Sequence, residues 1–253
     1  MKEQFYDTIF KRKSFHLFRG VGGERISPEE LQQIREAWDS FERLYPEIPT
    51  AIRILPAEKV NFKRDAEYCI LIYSGQADNR LMNAGFLGEQ LDLWLVQHDI
   101  GSLWFGIGRP DLPSYDGLDF VIMIAVHKVS DPKLYRKDMF KAKRKELSEV
   151  WSGEDPGFAD VARFAPSACN TQPWYVESEG GRLTVYRTQK PGKRGIMPAA
   201  AVQFYNRIDV GIYLCILEIC MEHAGFGFER QLFTDDGGDA ERTRSAVYTL
   251  QRE

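Results

Sequence analysis

Apolar positions along this chain recur at two spacings, and the elements follow from which spacing holds locally. In the segment 25–41, RISPEELQQIREAWDSF, Leu31, Ile34, Trp38 and Phe41 fall three to four residues apart, which lays them on one helical face. Ser27 can cap that helix, Pro28 suits its first position, and Glu30 completes a capping box. A shorter helix is predicted over residues 3–11. The runs TAIRIL (50–55), EYCILIYS (67–74), SLWFGI (102–107) and FVIMIAVHKV (120–129) are short and rich in β-branched and aromatic residues, so they predict strands. Between the second and third of these, a long helix is expected from about Asn79 to His98.

The pattern then restarts. A helix is expected around Gly157 to Phe164, followed by a hairpin in WYVESEGGRLTVYR (174–187) that turns at Gly180–Gly181. A second long helix is expected over roughly Pro198 to Ala224, and strands around Phe226 to Phe233 and Ser245 to Leu250. The two long helices overlay without a gap, NAGFLGEQLDLWLVQHDIG (83–101) on DVGIYLCILEICMEHAGFG (209–227). Gly85 then coincides with Gly211, Asp92 with Glu218 and Gly101 with Gly227. Apolar residues coincide at Phe86/Ile212, Leu91/Leu217, Leu93/Ile219, Leu95/Met221 and Ile100/Phe226. These matches surround the helix, as they do in helices buried on most sides, and they predict an internal duplication.

Composition narrows the function without naming it. With 253 residues and 43% hydrophobic content the chain can bury one large core or two ordinary ones. Its longest apolar run, Phe120–Val126, is too short to span a bilayer, and no secretory pattern follows Met1, so a cytoplasmic protein without membrane attachment is expected. A net charge of −4 argues against nucleic acid as a partner. The basic run KAKRKE (141–146) reads as a solvated face or an anion site. Cys69, Cys169, Cys215 and Cys220 lack paired spacing and read as reduced thiols, with Cys169 a small hydrophobe for want of a linked base. His98, His127 and His223 lack metal-ligand spacing, and no metal is expected.

The most conspicuous stretch is ARFAPSACNTQPWYV (162–176), a loop richer in Pro, Ser, Asn and Gln than a simple helix-to-strand connection needs. Its APSACNTQPW resembles the Ala-Pro-Ser-x-x-Asn-x-Gln-Pro-Trp element of the flavin-dependent nitroreductases. RKSFHLF (12–18) is similar to their Arg-Arg-Ser-x-Arg-x-Phe opening, AGFLGEQLDLWLVQHDIGSLWFG to their central helix and Gly-Leu-Gly-Ser-x-Trp-x-Gly turn, and KRKELSEV to their C-terminal Arg-Lys-Pro-Leu-x-Glu-Val. The order departs from the usual one, because the Ala-Pro-Ser loop follows the central helix, and ERLYPEIPT stands where it would ordinarily be. Family members are homodimers with two flavin sites shared across the interface. The resemblance therefore implies two such subunits fused in one chain, with the surviving motifs adding up to a single site.

From this follows the expected fold: α+β, two pseudo-symmetric nitroreductase-like halves, 1–152 and 153–253, each an antiparallel sheet with helices, joined near Trp151 to Pro156. The long central helices are expected to pack together. The resemblance implies FMN as cofactor, with NAD(P)H as co-substrate and a small-molecule acceptor such as a nitroaromatic or quinone. It assigns Arg12, Lys13 and Ser14 to the flavin phosphate and its surroundings, with Arg144 as a further phosphate cation. His16 stands where a cation usually lies near the ring, Pro166, Ser167, Ala168 and Asn170 would cover or bond the ring, and Phe105 and Gly106 occupy the turn beside its N5. Alternatives remain at several positions. Lys11, Arg12 and Lys13 can simply favour the end of a helix, His16 can be structural, and Asn170 can cap its own turn. The fused chain is expected to be monomeric. The competing reading is a catalytically degenerate protein that binds flavin or another small ligand, or serves interaction alone.

Overall fold

The computed structural model describes residues 3–61, 64–110, 112–189, 195–238 and 240–252. Ser27 Oγ accepts from the Glu30 N–H (3.2 Å) and Glu30 Oε2 from the Ser27 N–H (2.8 Å), closing the capping box that starts α2 (Pro28–Ser40). The N-terminal helix is α1 (Tyr6–Lys11), entered through a 3-10 turn at Glu3–Phe5. The first sheet comprises β1 (Thr50–Pro56), β2 (Tyr68–Ser74), β3 (Ile100–Phe105), a two-residue β4 (Ser114–Tyr115) and β5 (Leu118–Lys128), in the order β1-β2-β5-β3 with β4 on β5. Helix α3 (Arg80–Gln97) connects β2 to β3.

Past the short α4 (Leu147–Val150), the chain enters the second sheet with β6 (Trp151–Gly153). One turn of helix, α5 (Ala159–Ala162), stands where the longer 157–164 helix was expected, since Pro166 and the loop after it end the helical run early. Then follow β7 (Trp174–Glu179), β8 (Arg182–Thr188), α6 (Val202–His223), β9 (Phe226–Leu232) and β10 (Arg242–Arg252), in the sheet order β6-β7-β8-β10-β9. With β4 and β6 set aside, each sheet has four antiparallel strands in the order first, second, fourth, third, and a long helix leaves the second strand to return as the third. One pairing departs from the all-antiparallel expectation: β6 runs parallel to β7, Trp151 opposite Val176. It reaches its neighbour through a long crossover rather than a hairpin, so nothing forces the strands to oppose.

Period-2 alternation decides how the sheets are covered. In β2, Ile70 and Ile72 face the core that holds both long helices, while Cys69, Leu71 and Tyr73 face a second apolar cluster with Phe15, Phe18 and Met123. The first sheet is therefore buried on both faces. In the second sheet only one face is apolar throughout, with Trp174, Val176, Leu183, Val185 and Tyr248 meeting α6. Helices α3 and α6 pack side by side between the sheets. They approach so closely that a Cβ at Gly85 would run into the Ile208 carbonyl, and one at Gly211 into the Met82 carbonyl.

Candidate functional site

Arg12 caps the C-terminus of α1 and turns its guanidinium inward, where it is buried to 6% exposure. Asp92, on the inner face of α3, accepts from its Nε at 2.6 Å, from the Trp104 indole N–H at 3.1 Å and, through its other oxygen, from the Ser102 hydroxyl. Arg12 Nη2 points to Ser14 Oγ (3.4 Å). Ser14 bridges to Ser102 as a short parallel strand contact, and the Phe15 N–H donates to the Ser102 carbonyl (2.9 Å). One buried carboxylate on the central helix thus fixes the arginine, and the edge of β3 fixes the segment that follows it. A buried charge is tolerated only when paired in this way.

Arg12, Ser14 and His16 form one wall of a cleft of about 410 Å³. Its floor and flank come from β3, β5 and the turn after β3 (Leu103, Trp104, Gly106, Ile122), and the opposite wall from Pro166, Ser167 and Ala168 together with Tyr205, Ile208, Asp209 and Ile212 of α6. Apolar side chains dominate, with few polar groups among them, the composition expected of a small-molecule site. The loop that supplies the far wall is held in sparsely populated conformations: Cys169, Asn170 and Gln172 have φ of 51°, 56° and 49°. Such strain persists because neighbours hold it. Asp209 Oδ1 accepts from the Ala168 N–H (2.9 Å), Ser167 Oγ from the Gln172 N–H (2.9 Å), and Gln172 Oε1 from the Lys145 N–H (2.9 Å). Across the cleft, the Tyr205 hydroxyl and Arg109 Nη1 both donate to the Gly106 carbonyl, which pins the turn to α6. A Cβ at Gly106 would lie 2.6 Å from the Tyr205 ring, so the turn needs glycine there.

Behind Arg12 and Pro166 a small cavity is lined by Glu89, Arg136 and Arg144. Glu89 is fully buried, neither carboxyl oxygen has a hydrogen-bond partner among the described residues, and Arg12 Nε stands 3.8 Å away. Burial, reinforced by Asp92, holds its pKa well above the usual carboxylate range against the pull of Arg12, the Trp104 indole and Arg144. Burial also lowers Arg144, to about 10, helped by Arg12, Arg136 and Arg163 and opposed by Glu89. Arg12 moves the other way, since Asp92 and Glu89 outweigh its burial. Three arginines thus converge on a space with one anion formally committed to one of them, an arrangement with spare positive charge.

Comparison with known proteins gives the family. A family model described as "Putative TM nitroreductase" matches residues 4–221. The chain belongs to this nitroreductase family. A crystal structure from Thermotoga maritima, described as a "putative nitroreductase", superposes on this nitroreductase-family chain with a TM-score of 0.63 at 16% identity, covering 97% of this chain and 93% of that one. A "putative nitroreductase in complex with FMN" from Desulfovibrio desulfuricans is 17% identical and matches 60% of this chain and 96% of its own, with a TM-score of 0.46. A structure from Parabacteroides distasonis, described as a "Putative NADH dehydrogenase/NAD(P)H nitroreductase", gives 12%, 60%, 99% and 0.45 in the same measures. Among curated proteins none matches the chain in sequence.

Within this nitroreductase fold, the sequence-predicted site residues fall into two groups. Arg12, Ser14, His16, Gly106, Pro166, Ser167 and Ala168 line the cleft together. Phe105, Lys13, Arg144 and Asn170 do not. Phe105 ends β3 on the outer face and packs in the second apolar cluster, because alternation along the strand turns it away from its neighbours Trp104 and Gly106. Lys13 likewise alternates away from Arg12 and Ser14 and lies 4.7 Å from the Phe15 ring centre. Arg144 donates to Asn170 Oδ1 (3.0 Å) and the Phe164 carbonyl (3.1 Å), so these two brace the loop from outside. Sequence reasoning missed Asp209, Tyr205 and Arg109 in the cleft and Glu89 and Arg136 behind it. Asp209 carried a usable signal, since the helix overlay pairs it with Asn83, another polar residue at a position the apolar pattern would leave buried.

Proposed function

We propose that the chain is an FMN-dependent NAD(P)H oxidoreductase that reduces nitroaromatic or quinone-type acceptors, with one flavin site per chain. The observation that carries this reading is the shared cleft: Arg12, Ser14 and His16 from the front of the chain face Pro166, Ser167 and Ala168 from the back. Their motifs are the ones that resemble the family's two half-sites. The residues present fit a flavin. Flat apolar walls (Trp104, Ile122, Ile208, Ile212) suit a ring system, the backbone at Gly106 is bare enough for close approach, and Arg12 with the Arg136 and Arg144 cluster suits a phosphate.

When bound, FMN supplies the two-electron chemistry, accepting hydride from a reduced pyridine nucleotide and passing it to the acceptor. The chain's own residues do the rest. Asp92 aims the Arg12 fork, the strained loop offers a close apolar wall, and the Tyr205 and Arg109 bonds to Gly106 hold the turn rigid. Apolar walls on both sides keep water away from the reacting faces.

The fused two-subunit architecture belongs to this reading. It is supported by the repeated strand order, by the reciprocal approach of Gly85 to Ile208 and Gly211 to Met82, and by a helix position held twice, since Asn83 Oδ1 accepts from the Tyr45 N–H (3.2 Å) as Asp209 Oδ1 does from Ala168. Reciprocal contacts of this kind mark a two-fold interface. At the same 126-residue offset, Trp104 and Ile212 of the cleft correspond to Arg230 and Phe86. There the Arg230 guanidinium stands 5.8 Å from the Phe86 ring centre and pairs with Glu218 at 2.6 Å, so the equivalent space is filled. His16 favours the alternative, a binder without turnover, because an exposed histidine supplies less charge to a reduced ring than arginine or lysine.

Purified protein distinguishes these readings. A yellow solution bleached by NADPH, carrying one FMN per chain, is expected; a yellow solution that NADPH leaves unchanged supports the binder. Colourless protein that ignores added FMN contradicts both. Arg12→Ala should weaken FMN binding by about 10- to 100-fold, the range of a lost charge-assisted hydrogen bond, measured by quenching of flavin fluorescence. Unchanged affinity would remove Arg12 from the phosphate site.

A further inference from the structure

We propose that the mouth of the cleft holds an aliphatic tail, so that the preferred acceptor is a quinone carrying an alkyl or prenyl substituent that lies against Ile107 and Ile196. This rests on the oxidoreductase reading above and names its acceptor. Among the described residues six large apolar side chains are exposed, and two of them line this one cleft, Ile107 at 69% exposure and Ile196 at 93%. Exposed apolar residues scattered singly need no explanation, whereas a pair on the lining of an apolar cleft extends its walls outward. Ile107 belongs to the turn after β3, in the front of the chain, and Ile196 to the segment that leads into α6, in the rear.

Both occupy positions that local chemistry assigns to other residues. Ile107 sits in the middle of a turn that the Gly108 N–H closes by donating to the Phe105 carbonyl at 3.3 Å. Ile196 shares a turn with Gly195, whose φ is 57°. Such tips favour Gly, Asn, Asp, Ser and Pro, and a β-branched apolar side chain gains no burial there. Departures of this kind mark function rather than folding. Both tips are also firmly seated. Arg109 Nη1 donates to the Gly106 and Gly108 carbonyls at 2.6 and 2.7 Å, which pins the turn carrying Ile107. A Cβ on Gly195 would lie 2.9 Å from the Cys169 Cβ, so the turn carrying Ile196 rests against the loop of the far wall.

The polar groups of the cleft are spent elsewhere, which argues against a polar substituent. Arg12 Nε is held by Asp92, Arg109 and the Tyr205 hydroxyl donate to the Gly106 carbonyl, and Ser167 Oγ accepts from the Gln172 N–H. Beside Ile196 the lining stays apolar through Met197, Pro198 and Ala201. The reaction itself is unchanged. The quinone gains two electrons, derived from the reduced pyridine nucleotide by way of the flavin, and two protons, one carried with the electrons as hydride and one from water, and becomes the hydroquinone. The tail acts through binding alone.

The test uses trimethylbenzoquinones whose remaining ring position carries a tail from methyl to hexyl. The ring is then fully substituted, so Cys169 finds no open position to add to, and lengthening the tail leaves the reactivity of the ring nearly constant. Flavin-loaded protein reduced with dithionite is mixed rapidly with each quinone, for the wild type and for the double variant Ile107→Ser, Ile196→Ser. In the wild type the second-order rate constant should rise by roughly 2- to 4-fold per added methylene over the first carbons, the range for burying one CH₂. In the double variant that rise should shrink by at least half on a logarithmic scale, while the methyl quinone reacts equally fast with both proteins. Titration of the oxidised flavin-loaded protein with the same series, where no electrons move, should give dissociation constants with the same dependence. A wild-type rate that ignores tail length, or an equal dependence in the two proteins, overturns the proposal. An equal loss for every quinone, methyl included, also overturns it, because the isoleucines would then be structural. Failure of NADPH to reduce the flavin overturns the proposed function instead, because the dithionite and titration arms still read the tail.

Discussion

Two buried carboxyls, Asp209 and Glu89, make stability depend on pH in a direction opposite to ordinary salt-bridged acids. Each has a folded-state pKa above its unfolded value, so the folded chain holds protons that the unfolded chain has released, and stability falls as pH rises between the two values. For Asp209 that window runs from about 4 to about 8, and the loss is roughly a few kcal/mol across it. Urea midpoints measured from pH 4 to 9 should decline for the wild type and decline less for D209N; parallel curves would show that Asp209 titrates normally. Glu89→Gln should likewise flatten part of the decline. Arg12→Ala carries a second expectation, since it leaves Asp92 buried without its cation. A stability loss of about 3 kcal/mol or more is expected in urea unfolding. At this scale the sequence was only partly legible. The cleft arginine, serine and loop residues stood in recognisable motifs, whereas Asp209, Tyr205 and Glu89 sit inside helices where periodicity reports burial and says nothing about which buried residue faces a cavity.

At the scale of elements, local chemistry and close packing account for most of what could be read. The capping box of α2 and the Gly180–Gly181 hairpin form where the pattern predicts them, because each depends on contacts within a few residues. β6 was invisible to the same reasoning: three residues have no period, and their pairing partner lies 25 positions away. The crossing of α3 and α6 was half legible, since the overlay aligned Gly85 with Gly211 without revealing what either touches. Both glycines are required by the approach of a backbone carbonyl, so Gly85→Ala and Gly211→Ala should each cost roughly 3 kcal/mol, the upper end for overpacking. Alanine at the exposed Gly23, where nothing lies within 4 Å, should cost far less. Equal losses at all three positions in chemical denaturation would mean that helix separation is not set by these contacts.

For the whole molecule, the cleft joins distant parts of one chain, so its assembly is intramolecular and independent of protein concentration. Flavin retention is accordingly expected to survive dilution over a hundredfold range at fixed free FMN, and light scattering on the same samples tells whether dissociation accompanies any loss. The covalent connection also contributes less to the finished molecule than it does to its construction. β6 is carried by the front portion yet hydrogen-bonds as a strand of the rear sheet, and the largely exposed stretch behind it is tied by the Glu154 N–H to the Ser178 carbonyl (3.2 Å) and by Asp155 Oδ1, which accepts from the Gly157 and Ala159 N–H groups. A chain nicked at that stretch would still be held by an inserted strand and by the two long helices lying against each other. Fragments 1–155 and 156–253 made separately in one cell should therefore find each other and restore the cleft, making this fold a natural starting point for a split reporter.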